Sequence, residues 1–179
     1  MILIKHLTLL LIIGLASGQN EYNINHIVKQ DSVYKKKFSD EIVNGSIYQM
    51  IDDMKVILGK MKNGKKDGLW TEWYPNKRKL EETYKHGILD GSVSLYYVTG
   101  QKEWRHSYNN GQFEGLWTYW YENGQKMREG NFMCGDSTGT WFWWDKNGHV
   151  EKEKEYKKRK NEIWANYNEY ILIEVVTEP

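Results

Sequence analysis

Cysteine is almost missing from this chain, and neither sign of charge is in real excess. A single thiol, Cys134, excludes an intramolecular disulfide and any zinc cluster built on cysteine. His86, His106 and His149 stand at unrelated positions of the repeat described below, with no His-x-x-x-His or mixed Cys/His spacing to hold a metal. Ser137 beside Asp136 lacks the strand–elbow–helix setting of a nucleophile. The pairs Asp52-Asp53 and Glu81-Glu82 are adjacent, so in strands their members face opposite sides, unlike an acid–base couple. The sequence therefore predicts a non-enzymatic protein with no catalytic residues, no metal and no cofactor.

Long apolar runs are also scarce, and the clearest is N-terminal. Lys5, the apolar stretch Leu7 to Leu15 and the small residues Ala16-Ser17-Gly18 have the order of a secretory signal peptide, residues 1–18. The run is short for a membrane span, so no integral membrane segment is expected after cleavage. The expected location is extracytoplasmic, periplasmic or secreted. Loss of Lys5 leaves 24 basic against 24 acidic residues. A neutral chain gives no electrostatic case for nucleic acid or an anionic membrane.

What the chain has in quantity is glycine and aromatic residues, in a fixed order. A frame glycine recurs at Gly45, Gly68, Gly91, Gly115 and Gly139, at intervals of 23 or 24 residues. A second glycine stands four residues earlier at Gly64, Gly87, Gly111 and Gly135. Seven residues before each frame glycine comes a large apolar side chain: Phe38, Met61, Tyr84, Tyr108 and Phe132, with Tyr156 next in the count. Five residues after it come Met50, Trp73, Tyr96, Trp120 and Trp144. Three columns in phase with the frame glycine over more than a hundred residues define a repeat architecture.

Each unit reads as strand, tight turn, strand. Thr99-Gly100, Asn123-Gly124 and Asn147-Gly148 mark a predicted type I′ turn, and the residue that lengthens the later units is placed there, because Pro75-Asn76-Lys77 has no glycine. Trp117, Tyr119 and Tyr121 are expected on one face and Leu116, Thr118 and Trp120 on the other, so both faces carry rings. The expected fold is all-β: tandem β-hairpins forming an elongated, twisted antiparallel meander sheet. Stacked hairpins bury ring columns that one hairpin alone leaves wet.

The ends are less regular. Residues 19–37 are a polar lead-in, either a flexible segment or an eroded first strand. Residues 38–62 keep the frame but lose the tryptophans, as a degenerate N-terminal repeat or cap does; a short helix through Ile47 to Leu58 is the competing reading. Four strong units fill residues 63–158. Residues 159–179 are read as a C-terminal cap strand, preceded by a basic run that discourages edge pairing.

The stretch Asn110-Gly111-Gln112-Phe113-Glu114-Gly115-Leu116-Trp117-Thr118-Tyr119-Trp120-Tyr121-Glu122-Asn123-Gly124-Gln125-Lys126 resembles the bacterial variant of the MORN repeat, and the chain resembles the YwqK-family antitoxins of toxin–antitoxin systems. The likeness is good over about residues 63–156 and weak over 38–62. It implies hairpin repeats that contact other proteins, and it carries no catalytic residues. An antitoxin behind a signal peptide would meet an exported effector or an envelope protein. A protein-interaction module, antitoxin-like or immunity-like, is thus the first expectation, with an unknown protein as partner. The expected contact residues are Trp70, Trp73, Tyr97, Trp117, Trp120, Tyr121, Trp141 and Trp144. A carbohydrate or cell-wall binding module using exposed rings is the alternative.

Overall fold

Residues 20–157 are described by a computed structural model, and 67% of them lie in strands. The signal segment 1–18 and the expected strand within 159–179 fall outside the described residues. The chain opens with β1 (Glu21–Asn23), a single 3-10 turn (Ile24–His26) and the hairpin β2 (Ile27–Gln30)–β3 (Val33–Lys36). Residues 20–37 of the polar lead-in are thus folded. The repeat then begins with β4 (Gly45–Ile51) and β5 (Met54–Lys62), followed by β6 (Lys65–Trp73) and β7 (Lys79–Lys85). It continues through β8 (Ile88–Tyr96), β9 (Lys102–Asn109), the short β10 (Gln112–Phe113) and β11 (Gly115–Trp120). It ends with β12 (Lys126–Met133), β13 (Asp136–Trp144) and β14 (Val150–Tyr156).

From β4 to β14 the strands pair in chain order as an antiparallel meander, with β10 beside β9. Ile47 to Leu58 forms the β4–β5 hairpin, not a helix, and its turn is Asp52-Asp53 with φ of 47° and 63°. β1 adds in parallel to β4, pairing Glu21 with Ser46, so the first edge of the meander is covered.

The frame glycines mark a register. Each pairs with the anchor of the following strand: Gly45 with Met61, Gly68 with Tyr84, Gly91 with Tyr108, Gly115 with Phe132 and Gly139 with Tyr156. A glycine opposite a large ring leaves room for the ring to lie over the sheet. Phe38 breaks this column. It sits in a turn at φ 60° and is fully exposed, because no frame glycine pairs with it.

Two details of the hairpins correct the sequence reading. The two-residue type I′ geometry occurs between units, at Asn63-Gly64, His86-Gly87, Asn110-Gly111 and Cys134-Gly135, where both residues have positive φ. Within the first unit Asp52-Asp53 has the same geometry, but within the four later units the loops are longer. Tyr121 donates its N–H to Gln125 and accepts from Gly124, and of the central residues only Gly124 has positive φ, at 87°. This is a type I turn closed by a left-handed residue. It recurs at Tyr74, Tyr97 and Asp145, with Lys77 filling the glycine position at φ 63°.

The residue that lengthens the later units therefore lies elsewhere. The pairing jumps from Leu95–Trp104 to Tyr96–Lys102, from Tyr119–Arg128 to Trp120–Lys126 and from Trp143–Lys152 to Trp144–Val150. Glu103, Met127 and Glu151 are β-bulges, whereas β6 and β7 pair without one.

Pairing across the meander lines up rows of side chains on one face. The innermost row runs Trp70, Glu82, Val93, His106, Trp117, Gly130, Trp141 and Lys154. Trp70, Trp117 and Trp141 are 5%, 8% and 5% exposed, and with Ile47 and Val93 they form the packing column. Anchor rings bridge the layers: Phe132 lies 4.3 Å from Trp117 and 5.3 Å from Trp141. A buried ring of ~200 Å² removes about 5 kcal/mol worth of apolar area from water, before entropy. Each indole also donates to a carbonyl ten residues earlier: Trp70 to Lys60 at 3.0 Å, Trp117 to Ser107 at 3.4 Å and Trp141 to Asn131 at 3.3 Å.

The N-terminal segment closes the first layers of this face. Ile27 and Val43 pack with Ile47, Met61 and Trp70, and Tyr34 and Tyr84 lean on the cluster. Tyr34 and Val43 are tied to the Gly64 turn by backbone bonds of 2.7 and 2.9 Å. This core ends at Tyr84.

Candidate interaction surface

Beyond the cap the same face carries an outer row, in the order Leu95, Trp104, Tyr119, Arg128, Trp143, Lys152. Its rings are half-buried, supported from beneath by the packing column. Among the described residues no strand is laid over this row. Aromatic side chains that are rigid and partly wet are the material of protein contacts.

The chemistry of the row centres on His106 and Arg128. His106 is sandwiched, with its ring 4.1 Å from Trp104 and 3.6 Å from Trp117, nearly parallel to both. It is 8% exposed and its Nε2 has no hydrogen-bond partner. Burial, and then the nearby Arg128 charge, holds its pKa down at about 4. The imidazole is therefore neutral at ordinary pH. Arg128 lies 4.2 Å over Tyr119 and 5.8 Å from Trp141. Its Nε is buried and unpartnered, and among the described residues no carboxylate pairs with it. By contrast Arg78 is held by Glu103, a side chain on the bulge of β9.

The opposite face is different in kind. Its central row is Thr71, Glu81, Ser94, Arg105, Thr118, Glu129, Phe142 and Glu153. Acid and base are mixed there, and many are satisfied internally: Thr118 donates to Glu129 at 2.9 Å, and Lys126 reaches Glu129 at 2.7 Å. Tyr96 donates to Glu81 at 2.6 Å, and burial with that carboxylate pushes its phenol up to about 12. Lys79 lies 4.1 Å over the Tyr96 ring, while Lys102 and Lys126 lie 5.8 Å from Trp120 and Trp144. A stacking sugar would have to displace these lysines.

The eight residues expected to make contact are thus divided by the structure. Trp70, Trp117 and Trp141 are buried between layers. Trp73 is 48% exposed, at the end of β6. Tyr97 and Tyr121 are half-buried and tie successive units together, donating to the carbonyls of Trp120 at 3.0 Å and Trp144 at 2.9 Å. Trp120 and Trp144 lie on the lysine-covered face. The repeat columns do not single out Trp104, Tyr119, Arg128 and Trp143, because these do not recur as one residue type. The available signal was position: Leu80, Trp104, Arg128 and Lys152 stand 24 residues apart.

Three segments, residues 66–86, 113–133 and 137–158, match the MORN repeat variant family. They cover the β6–β7 hairpin and, with short gaps, the run from β10 to β14, so these hairpins carry the MORN repeat variant. No curated protein matches the chain. MORN repeats commonly serve protein or membrane interactions, and proteins built from them are generally binding modules. No helix among the described residues is long and apolar enough to cross a membrane.

Proposed function

We propose that this protein is an exported, non-enzymatic interaction module that holds a partner protein on the row from Trp104 to Trp143, in the manner of an immunity protein for an exported effector. The observation that carries the reading is the sidedness of the sheet: one face carries rings beside an unpaired guanidinium, while the rings of the other lie under lysines among mixed and largely internally paired charge. Residues 20–43 cover that face only as far as Trp70 and Tyr84. Support for export comes from Lys5, the apolar run and Ala16-Ser17-Gly18; support for an immunity role comes from the likeness of Asn110 to Lys126 to antitoxins.

The test is site-directed photocrosslinking. A photoreactive phenylalanine analogue placed at Trp143 should capture one protein from the cell envelope fraction, identified by mass spectrometry. The same group at Trp144, on the opposite face, should not. Capture from Trp144 alone, or from neither position, contradicts the reading. Inhibition of the captured protein's own activity on mixing would establish the immunity role.

A further inference from the structure

Charge is distributed unevenly on the two faces, although the chain as a whole is balanced. From Val93 onward the packing row, the outer row and the anchor row contain no carboxylate. Glu82, on the same face, lies at the capped end and faces Lys66 at 3.7 Å. Glu129, Glu153 and Glu155 pair into the opposite face. What remains beside the rings is cationic: Lys154, 4.8 Å over the Tyr156 ring, and Arg128 and Lys152, which flank Trp143 in one cross-strand row. Lys152 lies 5.4 Å over the Trp143 ring.

A guanidinium seated on Tyr119, with its Nε sealed and no acceptor, is already ordered and partly desolvated. Such a group binds a carboxylate with little further loss of freedom. The neutral His106 beneath it adds no competing charge. Three cations set among rings do not make a polyanion track, which needs a run of basic groups along its length. Arg128 and Lys152 stand two strands apart, about 10 Å at roughly 4.8 Å per strand. A segment crossing the strands cannot add to the ladder, so its backbone stays solvated. In a polyproline II conformation, residues i and i+3 share a side and lie about 9 Å apart.

We infer that this face recognises an extended acidic segment of the partner, with carboxylates three residues apart on Arg128 and Lys152, spanning the Trp143 ring that lies between them. This rests on the outer row being the contact surface and names what that surface reads.

The probe is a capped peptide, Gly-Glu-Pro-Phe-Glu-Pro-Gly, titrated calorimetrically into the full protein. Binding should weaken tenfold or more for Arg128→Gln and for the peptide with both Glu replaced by Gln. Arg128→Lys should bind between the two, because it keeps the charge and loses the planar stack. Arg105→Gln, on the opposite face, should leave binding unchanged, and thermal melts confirm that each variant folds. Equal binding of the Gln peptide, indifference to Arg128→Gln, or no binding by the wild type overturns the inference. So does crosslinking of Trp143 to a second copy in the pure protein. If the Trp143 photocrosslink still captures a partner while the peptide fails, the carboxylate rule falls and the contact surface stands. Loss of both removes the surface itself.

Discussion

The indole of Trp141 occupies the space that a side chain on Gly130 would need. A Cβ built on Gly130 would lie 2.0 Å from the ring, and Gly59 stands to Trp70 in the same relation, at 2.6 Å. In the intervening Trp117 layer the equivalent position is His106, and there the ring stacks at 3.6 Å. One frame position thus decides whether a tryptophan settles onto backbone or onto another ring.

Gly130→Ala should therefore destabilise by overpacking, by about 1–3 kcal/mol. Gly130 does not have positive φ, so backbone strain adds nothing to the effect. The penalty should shrink in a Trp141→Ala background, where the space is free. Denaturant titration of the double-mutant cycle checks both statements; an additive cycle would refute the contact.

His106 should make stability depend on pH. Its folded pKa is about 4 against an ordinary 6.5, so the unfolded chain takes up a proton that the folded chain refuses. This contribution is complete above pH 6.5 and is lost as pH falls from there toward 4, by about 1.4 kcal/mol per pH unit at the steepest. His106→Phe keeps a stacking ring and removes the proton. The difference between wild type and variant should therefore change between pH 7 and pH 5, and a constant difference would contradict the assignment.

Lys77 holds a left-handed conformation that its counterparts Gly100, Gly124 and Gly148 adopt freely. Lys77→Gly should stabilise by about 0.5–1 kcal/mol, read as a rise in melting temperature.

A ladder of acceptors runs along the turns. Asn44, Asp67, Asp90 and Glu114, each just before a frame glycine, accept from the N–H of Asn63, His86, Asn110 and Cys134. The Glu114–Cys134 bond is 2.8 Å. Glu114→Ala should cost about 1 kcal/mol and speed amide exchange at Cys134, whereas exchange at Asn110, which donates to Asp90, should be unaffected.

Much of the architecture was legible because the frame glycines are visible one-letter signals, and their pairing with Met61, Tyr84, Tyr108, Phe132 and Tyr156 follows from a fixed interval. The turns were misassigned because Asn-Gly occurs at both ends of a unit. At Asn110-Gly111 it makes a two-residue turn, and at Asn123-Gly124 it closes a longer loop. The bulges at Glu103, Met127 and Glu151 leave no mark in the sequence except one added residue, and past each bulge strict alternation no longer assigns faces. The contact residues were hardest to read. A recurring tryptophan is conspicuous because every layer must pack, so the repeat points to Trp117 and Trp141, which are buried. The proposed binding chemistry sits where the units differ, at Trp104 and Arg128.

Oxidative footprinting of the protein with and without its captured partner tests the central claim most directly. Hydroxyl radicals modify accessible rings without a mutation that could disturb packing. Trp104, Tyr119 and Trp143 should lose reactivity in the complex, while Trp120 and Phe142 on the opposite face keep theirs. Protection of Trp120 and Phe142 with Trp143 still reactive would place the partner on the wrong face and contradict the account.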